Sequence, residues 1–162
     1  MNSRSARTLE ECTKRYRMPE SVAEGPDEVK TAWALGVFSG AVDGDEFEVK
    51  SILVEDTKKT YEKLEMHERS PQLYAVFSGS VAVPTALDLE GGAVRFSKVS
   101  QGEAIIVSAN VWHGAAVGID VPAKVMVLLK KGTTEFDTGK LPVAPAVRFD
   151  PEHKGGCGCD VS

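Results

Sequence analysis

Nine short apolar runs with no helical stretch between them set the strongest limit on how this 162-residue chain can fold. They lie near 33–38, 47–54, 60–66, 73–77, 81–83, 94–99, 104–107, 111–117 and 124–130. Many are β-branched, and Gly, Pro, Asp or Ser separates them, as expected of strands joined by turns. Asp43-Gly44 and Gly91-Gly92 are hairpin-type turn signals. Without helices between the strands there are no crossovers for a parallel sheet, so the pattern implies an all-β sandwich or barrel. The length suits one domain with its own core.

Both ends of the chain read differently. Leu9, Cys12 and Tyr16 recur at helical spacing, Thr8 and Glu11 form a capping-box pattern, and Pro19 stops the run. A short N-terminal helix is therefore expected, followed by a polar loop to residue 30. After Lys131 periodicity fades, and Pro142, Pro145 and Pro151 suggest an extended arm on the barrel. The organisation expected is 1–30 helix and loop, 31–142 barrel, and 143–162 arm and tail, all within one domain.

Charge and cysteine content narrow the function. Nineteen basic against 24 acidic residues leave a net charge of −5 and no basic stripe, which argues against nucleic acid as a partner. No apolar run is long enough for a membrane helix. Residues 1–17 lack the apolar core of a signal peptide, so a cytoplasmic location is the expectation. Cys12 reads as packing. Cys157 and Cys159, with His153, form a tail that can hold a thiophilic metal, cross-link two chains, or simply be exposed.

Two of the three histidines fall in the stretches richest in chemistry. The first is Glu65-Met66-His67, running through Pro71-Gln72 to Gly79; the second runs from Gly102 to Asn110-Val111-Trp112-His113. Residues two apart on a strand share a face. Glu65 and His67 therefore point one way, together with Lys63 and Tyr61, while Leu64 and Met66 point the other. If the two strands lie in one sheet, His67 and His113 converge. Two histidines and a carboxylate can hold Mn, Fe, Ni or Zn with positions left open for a ligand.

The spacing of these stretches resembles that of the cupins, whose double-stranded β-helix is a jelly-roll-like barrel. Their first motif is His-x-His, three or four residues, an acid, six residues and Gly. Here Glu65-x-His67 is followed by four residues, Gln72, six residues and Gly79. Their second motif opens on Gly and closes on His about eleven residues later, as Gly102 and His113 do. Within that group the chain is most similar to the ureidoglycolate lyase branch, which carries Gln five residues after the His and the tetrapeptide Asn-Val-Trp-His. The stretch 131–137 also looks like that branch's closing segment, and the likeness extends roughly over residues 30–142. The chain departs from the branch at Ser108 and Gly114, where histidines are usual, and it lacks a His-Asn-rich segment before residue 60.

The resemblance implies cleavage of ureidoglycolate, or a related small 2-hydroxy acid derivative, to glyoxylate and urea. Breaking a carbinolamine needs a base near the hydroxyl, an acid near the leaving nitrogen and a cation for the carboxylate. The implied roles are His67, His113 and Glu65 in catalysis and as tentative metal ligands, with Gln72, Lys63 and Trp112 binding substrate. The cofactor would be a divalent transition metal, or there would be none. For Trp112, core packing is an equal reading, and Tyr74 reads as packing. The alternative to an enzyme is a non-catalytic cupin that binds a small acid or sugar, or serves as a subunit. A homodimer is expected, because pairing removes exposed strand edges.

Overall fold

The computed structural model describes residues 8–17, 45–90 and 93–151. The expected strand near 33–38, both hairpin turn signals and the Cys157/Cys159 tail lie outside these residues.

The elements in chain order are α1 (Leu9–Cys12), β1 (Thr13–Arg17), β2 (Phe47–Val54), β3 (Lys59–His67), β4 (Gln72–Ala86), β5 (Arg95–Ser100), β6 (Glu103–Val107), β7 (Trp112–His113), β8 (Val117–Lys130), α2 (Thr133–Phe136) and β9 (Thr138–Phe149). The architecture is the expected all-β, jelly-roll-like barrel with a short N-terminal helix. Every strand pairing among the described residues is antiparallel. No helix among the described residues is long and apolar enough to cross a membrane.

Strand β4 organises the barrel. Its first residues pair with β6, its far half with β5 and β7, and β8 lies along it from Leu73 to Ala82. Between Val76 and Val81 its register against β8 shifts three times, around Gly79 at φ +72°. Such irregularities let a strand bend from one layer into the next. One layer is thus β2-β8-β4-β6-β1, and the other is formed by β5, the far half of β4, β7, β3 and β9. Val81, Val83, Val99, Val107 and Val125, all at most 2% exposed, fill one core cluster. Burying each such side chain contributes roughly 1.5–3 kcal/mol. A second cluster gathers Tyr61, Leu64, Phe96, Val117 and Phe149.

Two end segments differ from expectation. The capping box at Thr8 and Glu11 is present, with Thr8 N–H donating to Glu11 Oε2 at 2.8 Å and Glu11 N–H to Thr8 Oγ1 at 3.2 Å. The helix nevertheless lasts only four residues, and Thr13–Arg17 form a strand against β6. A single helical turn is weak alone, whereas the ladder to β6 satisfies the backbone and leaves Cys12 buried at 3%. At the other end, β9 crosses the expected barrel boundary at 142 and pairs with β3 along Thr138–Phe149. Its prolines are tolerated because β9 lies at the sheet edge. The segment is therefore a barrel strand rather than an arm laid on the surface.

Candidate functional site

Strands β3 and β7 are neighbours, and Glu65 is directly opposite His113. That pairing brings the two sequence stretches together. Asn110 completes the join: at φ +64° it turns the chain, its N–H donates to the His67 carbonyl at 2.7 Å, and its side-chain amide donates to the Glu68 carbonyl at 3.3 Å. Asn tolerates this left-handed geometry better than other side chains do.

Glu65, His67 and His113 each offer a donor atom, and these atoms lie within 4.8 Å of one another. The imidazole centroids are 4.9 Å apart at an angle of 63°. His113 is 1% exposed and His67 is 4%. Backbone carbonyls fix both rings. His113 Nδ1 is 3.0 Å from the Val111 carbonyl, which can only accept, so Nδ1 carries the proton and Nε2 the lone pair. His67 Nδ1 faces the Asp137 carbonyl at 3.1 Å and Thr138 Oγ1 at 3.2 Å. The Thr138 hydroxyl donates to Thr133 O at 2.9 Å, so its oxygen also accepts from His67. Both Nε2 atoms are thereby presented to the interior, the arrangement by which second-layer carbonyls orient metal-binding histidines.

His113 Nε2 is buried and has no hydrogen-bond partner. The nearest carboxylate oxygen, Glu65 Oε1, is 3.9 Å away, beyond hydrogen-bond reach. A buried lone pair left unmatched is costly, and a cation between it and Glu65 would match it. The donor set of two imidazole nitrogens and one carboxylate fits a divalent transition metal.

Gln72 supplies a fourth oxygen. Its Oε1 lies 2.9 Å from His67 Nε2, and its Nε2 donates to the Tyr74 hydroxyl at 2.7 Å. Tyr74 is 2% exposed, and its hydroxyl is 3.5 Å from the Gly114 carbonyl. The chain Gly114–Tyr74–Gln72 therefore turns the amide oxygen inward. Burial, reinforced by the charge of Glu65, pushes the Tyr74 phenol far above its ordinary value, so it stays a neutral hydrogen-bonding group.

Burial lowers the His113 pKa, and the charge of His67 adds to this; the Val111 carbonyl and Glu65 oppose it. His113 is therefore neutral near pH 7, as a metal ligand must be. The sign of the linkage follows. In metal-free protein the unfolded chain, with its histidine near pKa ~6.5, binds protons that folded His113 refuses. Stability is thus lost as pH falls through the unfolded value and levels off below the folded one. Urea unfolding of chelator-treated protein at pH 7.5 and 5.5 is expected to show this fall, and His113→Gln to flatten it.

The remaining expected residues lie elsewhere. Lys63 is exposed, and the register of β3 against β9 slips between Tyr61 and Lys63. The slip breaks the strict alternation assumed for the polar face, and Tyr61 joins Leu64 in the second apolar cluster. The cation beside Glu65 is Lys140 on β9, with Nζ 3.8 Å from Oε2, opposite Glu65 in register. Trp112 packs partly buried against the second cluster; neighbours along a strand face opposite ways, so it turns its ring away from the side of His113. Gly114 has no room for a histidine: a Cβ there would lie 2.9 Å from Tyr61 Cε1 and 3.0 Å from Leu64 Cδ2 and Pro84 Cγ.

Sequence reasoning missed Tyr74, Asp137 and Lys140. Besides its carbonyl bond to His67, Asp137 accepts at its carboxylate from the N–H groups of Glu68 and Arg69, at 3.0 and 2.9 Å. Tyr74 alone carried a signal, since it sits two residues after Gln72 and so shares its strand face.

No protein-family model matches the chain, and no curated protein does. Among solved structures it is similar to a 3,4-ketoisomerase from Helicobacter canadensis, at 14% identity over 57% of this chain and 66% of that one, TM-score 0.47. A sugar 3,4-ketoisomerase from Thermoanaerobacterium thermosaccharolyticum, in complex with TDP, is 16% identical over 57% of this chain and 64% of its own, TM-score 0.46. Oxalate decarboxylase from Bacillus subtilis is 17% identical over 60% of this chain and 24% of its own, TM-score 0.46. The chain thus spans less than two thirds of each of these proteins.

Proposed function

We propose that the protein is a cupin-type, metal-dependent enzyme that cleaves ureidoglycolate or a closely related 2-hydroxy acid derivative. The observation that carries this reading is the convergence of two tautomer-fixed Nε2 atoms and a carboxylate around a buried, unmatched lone pair. Glu65, His67 and His113 would hold the ion, with the Gln72 amide oxygen as a further donor. Bound there, a divalent metal would act as a Lewis acid toward substrate oxygens.

The chain's own groups then divide the remaining work. Lys140, beside Glu65 at the exposed side of the site, holds the substrate carboxylate. Glu65, whose side chain is 31% exposed, faces incoming substrate and accepts the hydroxyl proton. The electrons of the O–H bond form the aldehyde carbonyl as the C–N bond breaks, the C–N electron pair stays on the ureido nitrogen, and that nitrogen takes the proton back from Glu65 and leaves as urea. Lys140→Ala is expected to raise KM for a carboxylate substrate up to about fivefold, the scale of an exposed ion pair. Lys63→Ala is expected to leave KM unchanged. Steady-state kinetics on the two variants checks this.

One observation favours the second reading, a non-catalytic binding protein. The 2.9 Å contact between His67 Nε2 and Gln72 Oε1 already occupies that nitrogen. It closes without a metal if the amide is turned so that its NH2 donates to His67 Nε2 while Tyr74 donates to its oxygen. Metal analysis followed by an assay for glyoxylate released from ureidoglycolate separates the readings. Metal uptake with glyoxylate release supports the enzyme; absence of both sinks it. Val49 and Leu53, 61% and 55% exposed, project from one side of β2, which among the described residues pairs only with β8, and suit the pairing of two copies proposed with either reading.

A further inference from the structure

The two imidazoles are oriented in different ways. His113 is set locally: the Val111 carbonyl that faces its Nδ1 belongs to the same short segment, two residues back. His67 is set from a distance. Its Nδ1 faces the Asp137 carbonyl and Thr138 Oγ1, 70 and 71 residues along the chain. Whatever holds Asp137 in place therefore also decides which His67 nitrogen carries the proton and where the other one points.

The β3–β9 ladder does not reach Asp137. The ladder ends where His67 is paired with Thr138, so Asp137 lies one residue beyond the paired backbone. Chain ends open more readily than paired interiors. Two sets of contacts stitch the chains together past this point. On the α2 side, the Asp137 N–H donates to the Thr133 carbonyl at 3.0 Å, and the Thr138 hydroxyl donates to the same carbonyl at 2.9 Å. On the β3 side, the Asp137 carboxylate accepts from the Glu68 N–H at 3.0 Å and from the Arg69 N–H at 2.9 Å, one at each oxygen. Consecutive N–H groups that converge on a carboxylate form an anion-binding nest, and such charge-assisted bonds are stronger than neutral ones. Because α2 has only four residues, it is too short to fix a position alone. The carboxylate ties this turn to the residues directly after His67.

We propose that the Asp137 carboxylate is a positioning residue for His67. By gripping Glu68 and Arg69 it keeps its own carbonyl against Nδ1, and so keeps Nε2 aimed at the space shared with Glu65 and His113. This rests on the reading of those three residues as a metal site. Asp137 is not among the ligands; it acts through the His67 ring. The difference between the two imidazoles gives the signature. Loss of the carboxylate frees the His67 ring and leaves the His113 ring, held by its own segment, as it was. The Asn110 N–H still holds the His67 carbonyl at 2.7 Å, so the His67 backbone stays while its ring turns.

NMR of the imidazole nitrogens in full-length, isotope-labelled, chelator-treated protein tests this, the rings being assigned by signal loss in His67→Gln and His113→Gln. In the wild type both rings are expected as single Nδ1–H tautomers. In Asp137→Ala the His67 signals are expected to become those of a tautomer mixture, with His113 unchanged. Asp137→Asn keeps one acceptor oxygen and is expected to disturb His67 less; it carries the test if the alanine variant does not fold. Metal titration of the same proteins is expected to show binding weakened about 10–100-fold in Asp137→Ala, the scale of a lost outer-layer partner, and by less in Asp137→Asn. A His67 ring that keeps its single tautomer in the folded variants would overturn the proposal. So would equal disturbance of both rings, the mark of a site loosened as a whole. The ring readout needs no metal, so a wild type that takes up none would sink the metal-site reading without deciding the role of Asp137, which the His67 tautomer decides.

Discussion

His67→Ala and His113→Ala are each expected to weaken divalent metal binding by at least about 100-fold, more than the 10–100-fold that loss of an outer-layer partner costs. Each removes one of two nitrogen donors whose lone pairs are aimed inward by carbonyls of Asp137 and Val111. Neither Glu65 nor the neutral Gln72 amide can replace an imidazole. The consequence is visible in stability. A metal at 100 times its Kd contributes about 2.7 kcal/mol, which in a domain of this size raises Tm by roughly 5–11 °C. Wild-type protein is expected to show that rise on metal addition, and the two variants at most about 1–2 °C. Thermal unfolding with and without added metal checks it, each variant being compared with its own metal-free Tm so that the cavity left by the ring does not enter.

Gly79→Ala is expected to be the most damaging single change outside the histidine site. Gly79 has φ +72°, and a Cβ there would overlap the Asp120 carbonyl oxygen and lie 3.0 Å from Ala123 Cα and Cβ. These obstacles are backbone and buried strand, which cannot swing aside. The left-handed conformation alone costs a side chain about 1–2 kcal/mol, and forced overpacking adds about 1–3 kcal/mol. The expected loss is about 3 kcal/mol, or a fall in Tm of roughly 6–12 °C. Gly102 is the control. Its φ is +80°, but nothing lies within 4 Å of a Cβ, so Gly102→Ala should show only the conformational cost, about 1–2 kcal/mol. Equal effects at the two glycines would mean that β4 is not pinned against β8 at this bend.

The strand pattern was legible because each run carries its own alternation and its own turn residues. Phe47–Val54 forms over the span expected, and the helix cap at Thr8 and Glu11 is local in the same sense. What was not legible depends on partners far away in sequence. Residues 13–17 continue a helical spacing, yet β6 is available and the ladder wins. Residues 73–77 and 81–83 read as two strands because Gly79 interrupts them, whereas β8 carries one strand through the break. In the site, Glu65, His67, Gln72 and His113 announce themselves by residue type and spacing. Tyr74 does not, because a tyrosine in an apolar run reads as packing until its hydroxyl is seen bonded to Gln72. Lys140 and Asp137 belong to a segment some seventy residues from His67, and only the β3–β9 register brings them near. Lys63 lies exposed where alternation from Glu65 places it on the polar face, because the register slips between Tyr61 and Lys63 and no local pattern announces the slip.

Elemental analysis of the purified, extensively dialysed protein beside its His67→Ala/His113→Ala double variant tests the central claim most directly. The account predicts about one equivalent of a divalent transition metal per chain in the wild type after loading, and almost none in the double variant. No metal in the wild type would contradict it. So would the same metal content in both proteins, which would place the ion away from Glu65, His67 and His113.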